Sequence, residues 1–127
     1  MEYNPYALTG KTILVTGASS GIGRAVAIEC SRLGAHVILS ARNKEKLEET
    51  LKMMEGHGHQ VIECDLSKEK EVSLLIDEVP EIQGLVNNAG TTMTVPVPFI
   101  KFNVLSDLLK VNTIAPIMTV SYTHLRA

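Results

Sequence analysis

A chain of 127 residues is long enough for one modest domain and too short for two. With 45% hydrophobic and 20% charged residues it has the composition of an ordinary globular protein, and no apolar run approaches the length of a membrane span. Twelve basic side chains against 14 acidic ones, a net charge of −2, give no reason to expect nucleic acid or an anionic membrane as partner.

The first ten residues show no charged-then-apolar signal pattern, so the cytoplasm is the expected compartment. Lys11 to Thr16 is a short run rich in β-branched residues, apolar on both faces, which predicts a buried parallel strand. Ile22 to Leu33 then follows a near-helical apolar period through Val26 and Cys30, and Gly34 supplies a left-handed C-cap. His36 to Ser40 is a second strand.

Asn43 is the expected N-cap of the next helix, with Glu45 in its first turn. Leu47, Leu51 and Met54 line its inner face, and Gly56 closes it. Gln60 to Cys64 reads as a third strand. Val72, Leu75, Ile76 and Val79 mark a further amphipathic helix, stopped by Pro80. Gly84 to Asn87 is the fourth strand, Thr91 to Phe99 a loop, and Val104 to about Ala115 a last helix.

Four strands alternating with helices over short connections imply an α/β fold, a Rossmann-type doubly wound parallel sheet of order 3-2-1-4. Cys30 and Cys64 have no metal-ligand spacing around them and are expected to be buried free thiols. His57 and His59 have no carboxylate or further histidine nearby to complete a metal site, so they are read as loop residues and no metal is expected.

The turn between the first strand and first helix is Thr16-Gly17-Ala18-Ser19-Ser20-Gly21-Ile22-Gly23. Backbone N–H groups at a helix start, reinforced by the helix dipole, favour a phosphate. Close approach of the backbone to that phosphate favours glycine. The spacing is T-G-x-x-x-G-x-G and differs from the common G-x-G-x-x-G dinucleotide fingerprint. A tight turn would by itself account for three glycines.

Three more features occur in order along the chain. Asp65-Leu66 follows the third strand, Asn87-Asn88-Ala89-Gly90 the fourth, and Asn112 lies within Lys110-Val111-Asn112-Thr113. On these four motifs the chain, over about residues 8 to 119, resembles the nucleotide-binding half of the short-chain dehydrogenase/reductase family.

The resemblance implies an oxidoreductase moving a hydride between a nicotinamide cofactor and a carbonyl or secondary alcohol. It implies that Gly17, Ser19, Ser20, Gly21, Ile22 and Gly23 hold the pyrophosphate, and Asp65 and Leu66 the adenine. Asn88, Ala89 and Gly90 would line the adenosine and ribose side, and Asn112 would be the asparagine of the catalytic tetrad. Without it, Asp65 reads equally well as a turn residue, Asn88 as one tolerating a left-handed turn, and Asn112 as a solvated or kink-satisfying side chain.

An NAD site commonly places a carboxylate at the end of strand 2 to bind the ribose 2′-OH. Ala41 stands there instead, and Arg42 follows Gly23 by 19 residues. A guanidinium pairs well with a 2′-phosphate, so NADP(H) is expected over NAD. Arg24 is a second candidate from the glycine-loop side; pairing with Glu45 is the alternative for Arg42.

The family's further catalytic groups are a Ser and a Y-x-x-x-K pair after a fifth strand. No Y-x-x-x-K occurs in these 127 residues. Tyr122 and Arg126 have the spacing but follow Asn112 too closely for that strand to intervene, and Arg is a poor replacement for the Lys. Residues 1–119 are therefore expected to be the NADP(H)-binding half-domain of a longer enzyme, inactive alone. Residues 120–127 are expected to be non-native, because Val120-Ser121-Tyr122-Thr123-His124-Leu125-Arg126-Ala127 can be read as a translated sequencing-library adaptor. A strand 4 without a fifth neighbour would leave an apolar edge and poor solubility. The expected partners are a small carbonyl or alcohol substrate and, at full length, further copies of the chain. The competing readings are a non-catalytic NADP(H)-binding module and a lyase or epimerase on the related fold.

Overall fold

The computed structural model describes residues 3–90 and 97–126, with side-chain surroundings for 3–90 and 98–121. Residues 91–96 of the expected loop and the side chains of Tyr122 and Arg126 lie outside that description. The elements run β1 (Thr12–Thr16), α1 (Gly21–Arg32), β2 (His36–Ala41), α2 (Lys44–Lys52), β3 (Gln60–Glu63), α3 (Glu69–Glu78), β4 (Gly84–Val86), α4 (Phe102–Leu109) and α5 (Ala115–Arg126). A 3₁₀ turn at Val97–Phe99 precedes α4, and a π turn at Lys110–Ile114 joins α4 to α5.

Among the described residues all strand pairs are parallel and the sheet order is β3-β2-β1-β4, as the alternation of elements predicts. Side chains alternate across each strand, so the apolar runs of β1 and β2 serve both faces. Ile13, Val15, Val37 and Leu39 pack with Ala27 of α1 and Leu47 of α2. Leu14 and Ile38 pack on the opposite face with Val72 and Leu75 of α3 and Ala115 of α5. Helices therefore cover both faces of the sheet, and all four strands end toward one rim.

The helix caps follow local chemistry. Asn43 Oδ1 accepts from Lys46 N at 3.1 Å and caps α2. Gly34, at φ +98, ends α1 with Gly34 N to Ser31 O and Ala35 N to Cys30 O, both 3.1 Å, the paired bonds of a Schellman turn.

Two expectations need correction. Ile22 does not face the core; it is 74% exposed, and α1 buries Gly23, Ala27 and Ser31 instead. Close seating of α1 against the sheet and the glycine loop selects small side chains at that interface. The last helix also does not end near Ala115 but continues to Arg126. Pro116 cannot donate a backbone hydrogen bond. A widened turn precedes it, in which Ala115 N bonds Lys110 O, and the helix resumes with the proline in its first turn.

Of the thiols, Cys64 is buried and Cys30 only half-buried. His59 is more than a loop residue. Its Nδ1 accepts from Val37 N at 3.1 Å while Nε2 donates to Glu55 O at 2.6 Å, tying the segment after α2 to the start of β2. Among the described residues, no three His, Cys, Asp or Glu side chains form a cluster able to hold a metal.

Candidate functional site

The carboxyl ends of the four strands open onto a cleft of about 1390 Å³. Parallel α/β sheets present their binding crevice at this end, beside the point where strand order reverses. That point lies between β1 and β4. Gly17, Ser19 and Ser20 reach the cleft from the β1 turn, Arg42 from β2, Asp65 and Leu66 from β3, and Asn88, Ala89 and Gly90 from β4. Nine of the residues singled out in the sequence thus share one cavity.

Gly21, Ile22, Gly23 and Asn112 do not line it. Gly23 acts from beneath: it is buried, and a Cβ there would strike the Gly17 carbonyl oxygen. Gly17 takes φ +67, and its Cβ would stand 2.8 Å from Asn88 Nδ2 and 2.9 Å from Ala89 Cα. The β1 and β4 turns therefore touch at a distance only glycine permits. Ser20 occupies the N-cap of α1 with no side-chain cap bond, so its hydroxyl leaves the first-turn N–H groups of that helix uncapped.

A hydroxyl that sequence reasoning did not single out organises this junction. Thr16, 1% exposed, accepts the backbone N–H of both Asn88 and Ala89 at 3.1 Å and lies 3.4 Å from Val86 O. Asn88 Nδ2 in turn donates to Gly17 O at 3.3 Å. The Thr of T-G-x-x-x-G-x-G was the available signal, since a β-strand that ends buried in a polar turn needs a bonded side chain there.

Arg42 and Asp65 stand on adjacent strand ends. Burial pushes the Asp65 carboxyl up, but hydrogen bonds from the Ser67 hydroxyl at 2.7 Å and Ser67 N at 3.0 Å, with the charges of Arg42 and Lys68, hold it below its usual value. Among the described residues no ion pair within 4.0 Å joins Arg42 to Glu45 or to any other carboxylate. Arg42 is exposed at the rim. Arg24 is engaged elsewhere: its Nη2 lies 2.6 Å from Ser19 O and 3.4 Å from Glu49 Oε2, and it does not line the cleft.

Cys64 also lines the cleft, yet desolvation, then Glu71 and Asp65, push its thiol up to about 12. It is a packed, protonated side chain and not a nucleophile. Asn112 lies exposed in the π turn, with its Oδ1 3.5 Å from where a Gly90 Cβ would stand. A second bond overlooked in the sequence, Thr119 Oγ1 to Asn87 Oδ1 at 3.0 Å, ties the end of β4 to α5.

The family model described as short chain dehydrogenase matches residues 11–125. The chain belongs to the short-chain dehydrogenase family. Among curated members, the 3-oxoacyl-[acyl-carrier-protein] reductase of Rickettsia felis is 45% identical over 85 residues, covering 67% of this chain and 35% of that protein. The 3-ketodihydrosphingosine reductase of Mus musculus is 38% identical over 119 residues, covering 85% of this chain and 36% of that protein. The chain thus spans about a third of the length of these relatives. A metagenomic short-chain oxidoreductase solved in complex with NADP superposes with a TM-score of 0.84 at 32% identity, over 94% of this chain and 57% of that one.

Proposed function

We propose that the chain is the cofactor-binding part of an NADP(H)-dependent oxidoreductase acting on a carbonyl or secondary alcohol. The observation that carries the choice of cofactor is Arg42, exposed at the rim beside Ala41 and joined to no carboxylate by an ion pair among the described residues. A guanidinium so placed suits a 2′-phosphate, and Ala41 offers no carboxylate to repel it. The glycine loop suits a pyrophosphate, because Gly17 and Gly23 leave no Cβ between the strand turns and α1 starts uncapped.

On this reading Gly17, Ser19, Ser20, Gly21, Ile22 and Gly23 form the pyrophosphate loop, with Gly21, Ile22 and Gly23 contributing backbone from the first turn of α1. Asp65 and Leu66 flank the adenine, and Asn88, Ala89 and Gly90 the ribose side. Asn112 stands in a widened helical turn, a local geometry frequent at functional positions. We assign it the tetrad asparagine. When bound, the cofactor supplies or accepts the hydride at its nicotinamide ring.

The substrate of the whole protein is then a small carbonyl or alcohol compound. The exposed Phe102, Leu105, Leu109, Ile117 and Met118 on α4 and α5 support association with further copies. The cytoplasm is the proposed compartment. Among the described residues no helix is long and apolar enough to cross a membrane. Titration with NADPH and NADH, read by nicotinamide fluorescence, tests the proposal: preference for NADPH supports it, and binding of neither overturns it.

A further inference from the structure

Thr50 is a polar residue on the inner face of α2 with no solvent exposure. A buried hydroxyl is costly unless bonded. Here Oγ1 lies 2.8 Å from Ala18 O and 3.2 Å from Lys46 O, directs its one hydrogen to the nearer Ala18 O, and accepts from Arg24 Nε at 2.8 Å. Arg24 Nη2 donates to Ser19 O at 2.6 Å and reaches Lys46 O at 3.2 Å. Two consecutive carbonyls of the glycine loop are therefore held from behind, by side chains that do not line the cleft.

A peptide unit is planar and its N–H points opposite its C=O. With Ala18 O fixed toward Thr50, the Ser19 N–H faces the other way. With Ser19 O fixed toward Arg24, the Ser20 N–H is turned from the guanidinium. Ser19 and Ser20 both border the cleft. On the nucleotide-binding reading above, we infer that Thr50 and Arg24 are positioning residues, aiming two loop N–H donors at the pyrophosphate without touching it. The same bonds commit the Arg24 guanidinium to the loop and leave the 2′-phosphate to Arg42.

The test compares two ligands on the 127-residue chain. NADP⁺ contains the pyrophosphate; adenosine 2′-monophosphate keeps the adenine and 2′-phosphate and lacks it. Thr50→Val keeps the side-chain shape and deletes the hydroxyl, while Thr50→Ser keeps the hydroxyl. NMR titration should show Thr50→Val weakening NADP⁺ about tenfold with adenosine 2′-monophosphate unchanged. Thr50→Ser should return NADP⁺ affinity to the parental value.

Arg24→Met should give the same split and serves where Thr50→Val does not fold. Equal weakening of both ligands, or parental NADP⁺ affinity in a folded Thr50→Val chain, overturns the positioning role. A parental chain that binds neither ligand overturns the nucleotide-binding reading itself, and the role with it.

Discussion

The Thr16 hydroxyl and the Asn88 backbone N–H meet at 3.1 Å, joining the last residue of β1 to the turn after β4. The same oxygen takes the Ala89 N–H, so one buried side chain satisfies two consecutive donors at the rim of the cleft. Both turns are held in register by an atom that a Val substitution would delete without changing the shape of the strand. Thr16→Val is expected to destabilise the chain by about 1–3 kcal/mol, the cost of stranding buried polar groups. Thr16→Ser should recover most of it. Urea unfolding of the two variants measures the difference.

Gly17 and Gly21 both take positive φ, at +67° and +57°, but differ in surroundings. A Cβ at Gly21 meets nothing within 4 Å, whereas one at Gly17 collides with the Asn88 side-chain amide and the Ala89 backbone. Gly21→Ala should cost only the left-handed backbone strain, about 1–2 kcal/mol. Gly17→Ala should cost more and abolish nucleotide binding. Melting temperatures and NADPH titration of the pair separate backbone strain from collision.

Arg42→Ala is expected to weaken NADP⁺ by about 10- to 100-fold, the loss of charge-assisted bonds to a phosphate, and to leave NAD⁺ unchanged. Isothermal titration with both cofactors checks it. Equal losses would place Arg42 away from the 2′-phosphate.

Asp65 has a depressed carboxyl pKa, so the sign of its contribution is set. Stability from its charged form is present above the unfolded value, about 3.9, and is lost as pH falls through the lower folded value. Ser67→Ala removes the hydroxyl bond and should move the Asp65 midpoint upward toward the ordinary range. Carboxyl-carbon NMR titration of the two chains gives both midpoints.

Cys64 carries the opposite sign. Its thiol is pushed up to about 12, so the protonated form is favoured by folding. That contribution is full below the unfolded thiol value and is lost as pH rises through about 12. At pH 8, Cys64 should resist a thiol-disulfide reagent in the native chain and react in urea. Cys30, half-buried, should react first.

Local chemistry made much of the architecture readable in the sequence. The apolar runs of β1 and β2, the Asn43 cap, the Gly34 turn and the spacing of Gly17, Gly21 and Gly23 depend on neighbours a few residues away. Their period and φ demands can be read from one stretch of chain. Nine of the thirteen expected site residues line the cleft and Gly21, Ile22, Gly23 and Asn112 do not; it was the resemblance carried by the four motifs together, not the local chemistry of each, that grouped them.

Tertiary structure alone decided which of these residues act together. Thr50 lies beside Leu47 and Leu51 on the α2 face, and nothing local tells that its hydroxyl serves Ala18, 32 residues away. Thr16 finds Asn88 and Ala89 across 72 and 73 residues, and Arg24 finds Thr50 across 26. Ile22 faces solvent while Gly23 goes inside because the closeness of α1 to the loop admits no Cβ, and α5 continues past Pro116 through a widened turn while Ala115 and Thr119 are buried. Helix and strand periods are intrachain and short-range. A hydrogen bond between distant residues exists only once packing has brought its two ends within reach.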